Sequence, residues 1–410
     1  MWWVKMGAGT RPGTGLMPFA HLMRLVCLGL IALSTALVLG FLHNQIQRGG
    51  FRWNQGDWLI NLEEVHVRRG PLGSGLIALS DATGVPLLTL VGGLQGAVMV
   101  VFLLASVAAL WRLLRDPAFA LVVFSPAAPF VFWMANPHAI VRKEILVFAA
   151  LAVLLLVPMH LATRWVLAGA SLILYLVALA GHEAMVLMLP AWAATLLVVM
   201  WPECRHGALW TILAIATIAA GSKVAYAMAY PGVADVTLVC DPLVARGLPD
   251  TLCDGAIRAL ASGPAEGTVT RFRDDLPAFL LGYGAAALPL LYLAVRHPLR
   301  WRLLAASVAL LLPILPLFGI ALDWGRWMLL HLTAFAFLLM AVHLVRPAAL
   351  LGGGVAQRGL AGLALVAVCA GNLFWAPHYV NAGLNGGAMV QLTENVPRRL
   401  GGIRRQLGLP

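Results

Sequence analysis

Between residues 25 and 374 the chain is a succession of apolar runs. Each is close to the ~20 residues that a helix rising about 1.5 Å per residue needs to cross the hydrocarbon of a bilayer. The runs fall at 25–42, 86–110, 119–134, 145–160, 165–180, 184–200, 209–229, 277–295, 303–322, 327–345 and 360–374. Short segments between them hold nearly all the Arg, Lys, Asp and Glu. A spanning β-barrel would instead show short strands alternating in polarity. Of the 410 residues, 61% are hydrophobic and 11% charged, too few polar side chains to coat a water-facing globule of this length. The expected fold is all-α: one polytopic transmembrane helix bundle over 1–410, with about 11 spans in a membrane-lipid environment. The first apolar run is not followed by a small-residue cleavage site, so it reads as a retained first helix.

A formal net charge of +11 would suit a nucleic-acid partner only if the cations shared one aromatic-studded face. They are scattered through loops instead, and no nucleic acid is expected. Basic residues in short loops favour the cytoplasmic side. Lys5, Arg11, Arg24, Arg112, Arg115, Arg164, Arg205, Arg296, Arg300, Arg302, Arg346 and Arg358 occupy alternate loops and are assigned inside. The other face then receives a first external loop at 43–85, the turns around 142–144, 182–183 and 323–326, and a long external loop at 231–276. The basic tail at 377–410, with Arg398, Arg399, Arg404 and Arg405, fits this scheme only as an interfacial segment or with a different span count. Cys240 and Cys253 share the long external loop, where an oxidising compartment favours a disulfide. No internal repeat at a fixed period is visible, which weakens a transporter built of duplicated halves.

Most ionisable groups near the span ends fall on that one external face. Such groups are costly unless they pair or line a wet cavity, although Lys and Arg at helix ends also snorkel without further function. In the first external loop the Leu, Val and Trp positions after Asp57 suggest a helix lying along the surface. Asp57, Arg68 and Arg69 are placed to meet a polar head group or simply to solvate that helix. Arg142, Lys143 and Glu144 open an apolar helix. The guanidinium fork and the mobile ammonium suit a phosphate or diphosphate, and positive charge outside runs against the usual topology bias. His182 and Glu183 sit in a turn too short to hold them in water. Desolvation there is expected to raise the Glu183 pKa and fit it to take a proton from a sugar hydroxyl, with His182 orienting it or shuttling the proton. A structural His182–Glu183 pair at a tight hairpin is the competing reading. In the motif Asp323-Trp324-Gly325-Arg326-Trp327, Arg326 can reach a phosphate oxygen or pair with Asp323, and the tryptophans suit an aromatic belt or stacking on a sugar. Lys223 is almost the only mid-span cation. No Walker-type phosphate loop, HExxH, CxxC or dinucleotide fingerprint is present, and Gly352-Gly353-Gly354 reads as a flexible turn.

Taken in order, Asp57, Arg69-Gly70-Pro71-Leu72-Gly73, Arg142-Lys143-Glu144, His182-Glu183 and Asp323-Trp324-Gly325-Arg326-Trp327 resemble the bacterial polysaccharide polymerases of the O-antigen and exopolysaccharide type. The resemblance implies an architecture like that of these polymerases and of type-C glycosyltransferases, in the bacterial inner membrane with the active face periplasmic. It also implies transfer of a growing glycan from a polyprenyl diphosphate to a sugar hydroxyl on another lipid-linked unit. Other polysaccharide-assembly proteins are possible partners. Such a reaction needs cations on the departing diphosphate and a base for the hydroxyl. Arg142, Lys143 and Arg326 supply the first, with Arg68 and Arg69 in reserve. Glu183 is favoured as base, ahead of Glu144 and Asp323. No cofactor and no metal are expected, because guanidinium groups can carry the leaving-group charge. Three rivals stay open: a type-C transferase moving one sugar from polyprenyl phosphate with Asp57 as base, a lipid-glycan flippase or other transporter, and a non-catalytic assembly partner. The flippase would place more charges deep within helices.

Overall fold

A computed structural model describes residues 17–261, 268–321, 323–351, 355–378 and 384–393. Lys5, Arg11, Gly352-Gly353-Gly354 and the tail arginines at 398, 399, 404 and 405 lie outside these residues. The chain is an all-α membrane protein. Its helices are α1 (Met17–Gln47), α2 (Gln55–Trp58), α3 (Gly70–Thr83), α4 (Leu87–Leu113), α5 (Ala120–Val123), α6 (Pro129–Ala135), α7 (Glu144–Leu154) and α8 (Arg164–Gly181). They continue as α9 (Leu189–Val199), α10 (Gly207–Ala229), α11 (Thr237–Val244), α12 (Thr268–Arg296), α13 (Arg300–Leu311), α14 (Leu315–Ile320), α15 (Trp324–Val345) and α16 (Val355–Gly371). Beside them, β1 (Trp375–Pro377) pairs antiparallel with β2 (Leu384–Gly386).

Among the described residues, 6 helices are long and apolar enough to cross a membrane: α1, α4, α8, α10, α12 and α15. They correspond to six of the expected runs. The other five runs are shorter or broken, and proline accounts for four of them by removing a backbone donor and clashing with the preceding turn. Run 119–134 splits into α5 and α6 around Pro126 and Pro129, and run 303–322 into α13 and α14 around Pro313 and Pro316. Run 145–160 leaves the α-helix after Leu154 for a 3-10 turn holding Pro158. Run 184–200 starts as the 3-10 turn Glu183–Met188 before Pro190 opens α9. Run 360–374 ends at Gly371, where the chain turns toward β1.

Two helices form the centre. Every residue of α7 is buried, as is α15 from Trp324 to His343, the expected state of a helix apolar on all faces. α7 packs against α4, α8, α9 and α15. By contrast α10 is buried over only 17% of its most apolar window and faces outward.

The surface helix expected after Asp57 is displaced. Residues 57–61 are buried, and only the single turn α2 is helical there. The amphipathic helix is α3, whose buried positions Gly70, Gly73, Leu76, Ile77 and Ser80 follow the helical period. The reason is electrostatic: Asp57 is drawn inward by Arg69 and by the adjacent cations Arg142 and Lys143, described below. α3 then lies on the re-entering 59–62 segment so closely that a β-carbon at Gly73 would run into the Ile60 carbonyl oxygen. That approach is why a glycine stands there.

Candidate functional site

Residues that the sequence scatters from 57 to 326 meet at one end of the bundle. Asp57 is only 2% exposed and has Lys143 Nζ at 3.6 Å and Arg69 Nη1 at 4.0 Å. Lys143 is fully buried and donates to the Gly181 carbonyl at 2.8 Å, which ties the start of α7 to the end of α8. Arg69 holds Glu183 through a fork, Nε at 3.0 and 3.1 Å from its two oxygens and Nη2 at 2.8 Å from one. Arg68 adds Nε at 3.3 Å from the same carboxylate. On the other flank Arg326 pairs with Glu144, and Asp323 lies between Arg326 Nη1 at 3.5 Å and Arg142 Nη1 at 3.8 Å. Arg142 also donates to the Trp53 carbonyl at 3.4 Å.

Local backbone geometry aims this cluster. Val141 has φ 52°, in the left-handed region that a β-branched residue rarely enters. Its carbonyl accepts from Trp58 Nε1 at 3.1 Å and from Gln95 Nε2 at 3.2 Å, while Gln55 Nε2 donates to Gln95 Oε1 at 2.8 Å. Two segments, α2 and α4, thus hold one strained residue in place, immediately before Arg142, Lys143 and Glu144. Strain of about 1–3 kcal/mol persists only where the surroundings over-determine it, and it clusters at functional sites.

The electrostatics differ from the sequence expectation at Glu183. Burial alone would raise its pKa, but Arg69, by charge and by hydrogen bond, together with Arg68 outweighs burial and holds the carboxyl well below its ordinary range. Asp57 is likewise held low, because Lys143, Arg69 and Arg142 outweigh the burial that opposes them. Burial brings Lys143 down to about 8, with Asp57 resisting the fall. His182 is pushed well below its ordinary value by burial and then by Arg69, so it is neutral. Its Nδ1 accepts from the Ala184 amide at 3.1 Å, which leaves the proton on Nε2. That buried nitrogen, both Asp57 oxygens and Glu144 Oε2 make no hydrogen bond among the described residues. Glu144 Oε2 belongs to a carboxylate lining a small cavity with Arg142, Arg326, Trp133, Val141 and Phe148, with space for about one water molecule.

Two expectations about aromatic residues are corrected. Trp324 is buried, donates Nε1 to the Phe318 carbonyl at 2.9 Å and meets Phe279 edge-on at 5.0 Å. Trp327 is buried with Arg326 stacked over its ring at 5.0 Å. Neither forms an exposed belt or offers an open face to a sugar, because the helix that starts at Trp324 is the buried α15. Conversely, Lys223 is more than a mid-span charge. Its Nζ donates to the Arg68 carbonyl at 2.6 Å and the Ala180 carbonyl at 3.1 Å, which makes it part of the cluster. Its lone occurrence in an apolar run was the available signal. Trp53, Gln55, Gln95 and Val141 carried no comparable signal.

The opposite ends of these helices carry a separate set of contacts. Arg164 pairs with Glu203 at 2.8 Å, Arg296 donates to the Leu350 carbonyl, and Asp116 accepts from the Leu350 amide. α8 and α15 therefore each run from one polar layer to the other.

Cys240 and Cys253 are joined in a disulfide. The segment they brace lies on the first loop: Asn61 Nδ2 donates to the Val239 carbonyl at 2.8 Å and Ala256 N to the Arg52 carbonyl at 3.2 Å. Among the described residues no three of His, Cys, Asp and Glu gather as a metal site.

No protein-family model, curated protein or solved structure matches this chain.

Proposed function

We propose that the protein is a membrane glycosyltransferase that polymerises polyprenyl-diphosphate-linked glycan repeat units, with its charged cluster facing the periplasm across the bacterial inner membrane. In this reading the architecture is like that of polysaccharide polymerases and type-C glycosyltransferases, the six long helices being supplemented by five shorter or broken apolar segments, four of them interrupted by proline. One observation carries the reading. Six cations, Arg68, Arg69, Arg142, Lys143, Lys223 and Arg326, converge with four carboxylates, Asp57, Glu144, Glu183 and Asp323, at the end of an apolar bundle. Partly desolvated cations in excess favour a multiply charged anion, and a diphosphate supplies one.

The acceptor hydroxyl oxygen attacks the anomeric carbon, the bond from that carbon to the diphosphate oxygen breaks, and the electron pair leaves with the polyprenyl diphosphate. Arg142, Lys143 and Arg326 stabilise the departing charge. A diphosphate that draws Arg68 and Arg69 toward itself loosens their hold on Glu183. Burial then raises that carboxyl and fits it to take the hydroxyl proton. Neutral His182 offers its Nε2 proton to an oxygen of the substrate.

The test uses purified protein in proteoliposomes and lipid-linked glycan accumulated in cells lacking it. Conversion to longer glycan is expected, together with a loss of rate in Arg142→Lys, which keeps charge but not the fork. Translocation without elongation would replace this reading by a flippase. Addition of one sugar from a polyprenyl phosphate would replace it by a single-sugar transferase. Thiol labelling of single-cysteine variants should place positions 142, 183 and 326 on the same non-cytoplasmic side.

A further inference from the structure

Beside the Arg68 edge of the cluster stands a group of aromatic rings that the proposed chemistry leaves unused. The His66 ring stacks on Tyr230 at 5.0 Å, Tyr230 lies 4.9 Å from Tyr226, and His66 Nδ1 shares a hydrogen bond of 3.4 Å with the Tyr226 hydroxyl. Lys223, whose ammonium holds the Arg68 carbonyl, sits 5.8 Å from the Tyr226 ring. Arg68 itself donates to the Pro231 carbonyl, directly after Tyr230. His66 is exposed, Tyr226 half-buried and Tyr230 38% exposed, so the rings form an accessible wall contiguous with Arg68 and Glu183.

Tyrosines at the end of an outward-facing helix also occur as an interfacial belt, each with its hydroxyl turned to head groups. Here both rings are engaged by a histidine of the first loop, which fixes them as one surface. Such a surface has the chemistry of a sugar site. The C–H face of a pyranose is weakly positive and lies against the negative face of an aromatic ring, while hydroxyls at its rim reach polar edges. The polar edges here are the Tyr226 hydroxyl, the His66 ring and the Arg68 guanidinium.

We propose that His66, Tyr226 and Tyr230 form a pyranose-stacking subsite that seats the acceptor sugar with its hydroxyl toward Glu183. The assignment to the acceptor rests on the glycosyl-transfer reading above, because that reading puts the base on this flank and the departing diphosphate toward Arg142 and Arg326.

Tyr230 is the position to change, since its ring stacks and no hydrogen bond from its hydroxyl enters the argument. In proteoliposomes with the accumulated lipid-linked glycan, Tyr230→Leu should raise the acceptor KM about three- to tenfold with kcat held, and Tyr230→Phe should match the parent protein. An unchanged KM in Tyr230→Leu overturns the subsite, and so does a Phe variant as impaired as the Leu variant. A second measurement separates this proposal from the transfer reaction. Soluble oligosaccharide released from the same lipid by mild acid is examined by saturation-transfer NMR against protein in nanodiscs. Transfer to sugar protons that is lost in Tyr230→Leu sustains the subsite even if the parent protein elongates nothing, an outcome that would sink only the transferase reading. No transfer in the parent protein overturns it, as does equal transfer in Tyr230→Leu, which would return these tyrosines to the membrane interface.

Discussion

Arg69 and Glu183 lie 114 residues apart in sequence and are joined by three hydrogen bonds of 2.8–3.1 Å, the tightest multiple contact in the charged cluster. The fork explains two things together. It stabilises the carboxylate so strongly that Glu183 is a poor base in this state, and it ties the first loop to the turn after α8. In the proposed reaction Glu183 serves as base only once the fork is loosened, which an anion competing for Arg69 would do.

Glu183→Gln keeps the size of the side chain and removes the base. Its elongation rate in proteoliposomes should fall by about 10² or more. Arg69→Lys retains charge without the fork and should raise the KM for lipid-linked glycan. Both variants are compared only after size-exclusion and thermal profiles show intact protein, since a broken pair destabilises the fold by itself. Parent-like turnover in a well-folded Glu183→Gln removes Glu183 from the chemistry.

The low pKa values of Asp57 and Glu183 set an acid limit. A carboxyl depressed in the folded state contributes stability that is fully present above its unfolded pKa of about 4 and is lost as pH falls toward the folded value. The thermal midpoint in detergent should be level from about pH 7 to 5 and decline below about 4. Asp57→Asn should start lower and decline less steeply. An equal slope in both proteins would show that Asp57 is not a source of the acid sensitivity.

Lys143 gives an alkaline effect of the opposite kind. Burial lowers it to about 8, so above that pH the cluster loses a cation. The depressed ammonium is a cost to folding, and stability should therefore rise slightly as pH climbs from about 8 toward the unfolded lysine value of about 10.4. Over the same range affinity for inorganic pyrophosphate, read by calorimetry, should fall. Lys143→Arg keeps its charge and should lack that decline. A decline equal to that of the parent protein would assign it to another cation of the cluster.

Most of the cluster was legible in the sequence because charge at the end of an apolar run is conspicuous: Arg142, Lys143, Glu144, His182, Glu183, Asp323 and Arg326 each interrupt hydrophobic stretches. The inward path of 57–61 was not. With Trp58, Leu59 and Leu62 among polar residues it reads as a surface helix until the cations that neutralise Asp57 are known, and those come from residues 69 and 143. Helix lengths were overstated for a related reason. Hydropathy registers Pro126, Pro158, Pro190, Pro313 and Pro316 only faintly, while each removes a backbone donor. The strain at Val141 depends on carbonyl partners at positions 58 and 95, and no local pattern announces it.

Lys223 tests how far one embedded cation organises the site. Lys223→Met preserves length and apolar packing but leaves the carbonyls of Arg68 and Ala180 without their ammonium donor, at a cost of about 1–3 kcal/mol each when buried. The thermal midpoint should fall, and elongation should fall with it because Arg68 is no longer held beside Glu183. Lys223→Arg should recover part of both. Parent-like stability and rate in Lys223→Met would reduce Lys223 to a tolerated charge in α10.

The disulfide loop supports the segment that carries Asp57. Cys240 and Cys253 are 13 residues apart, and a cross-link closing a loop of that size is worth about 3 kcal/mol in the chain-entropy account. The braced segment grips the first loop on both sides of Asp57: through Asn61 and the Val239 carbonyl, through Ala256 and the Arg52 carbonyl, and through the Leu252 carbonyl, which stands where a β-carbon at Gly56 would go. Replacing both cysteines by serine should lower stability and elongation together. Adding dithiothreitol to the parent protein should reproduce the change, and the double variant should not respond to it. If the double variant keeps the parent rate while its thermal midpoint falls, the loop stabilises the fold without positioning Asp57. Mass spectrometry of the non-reduced protein must first find the two peptides linked, because free thiols in protein taken from an oxidising compartment would remove the premise.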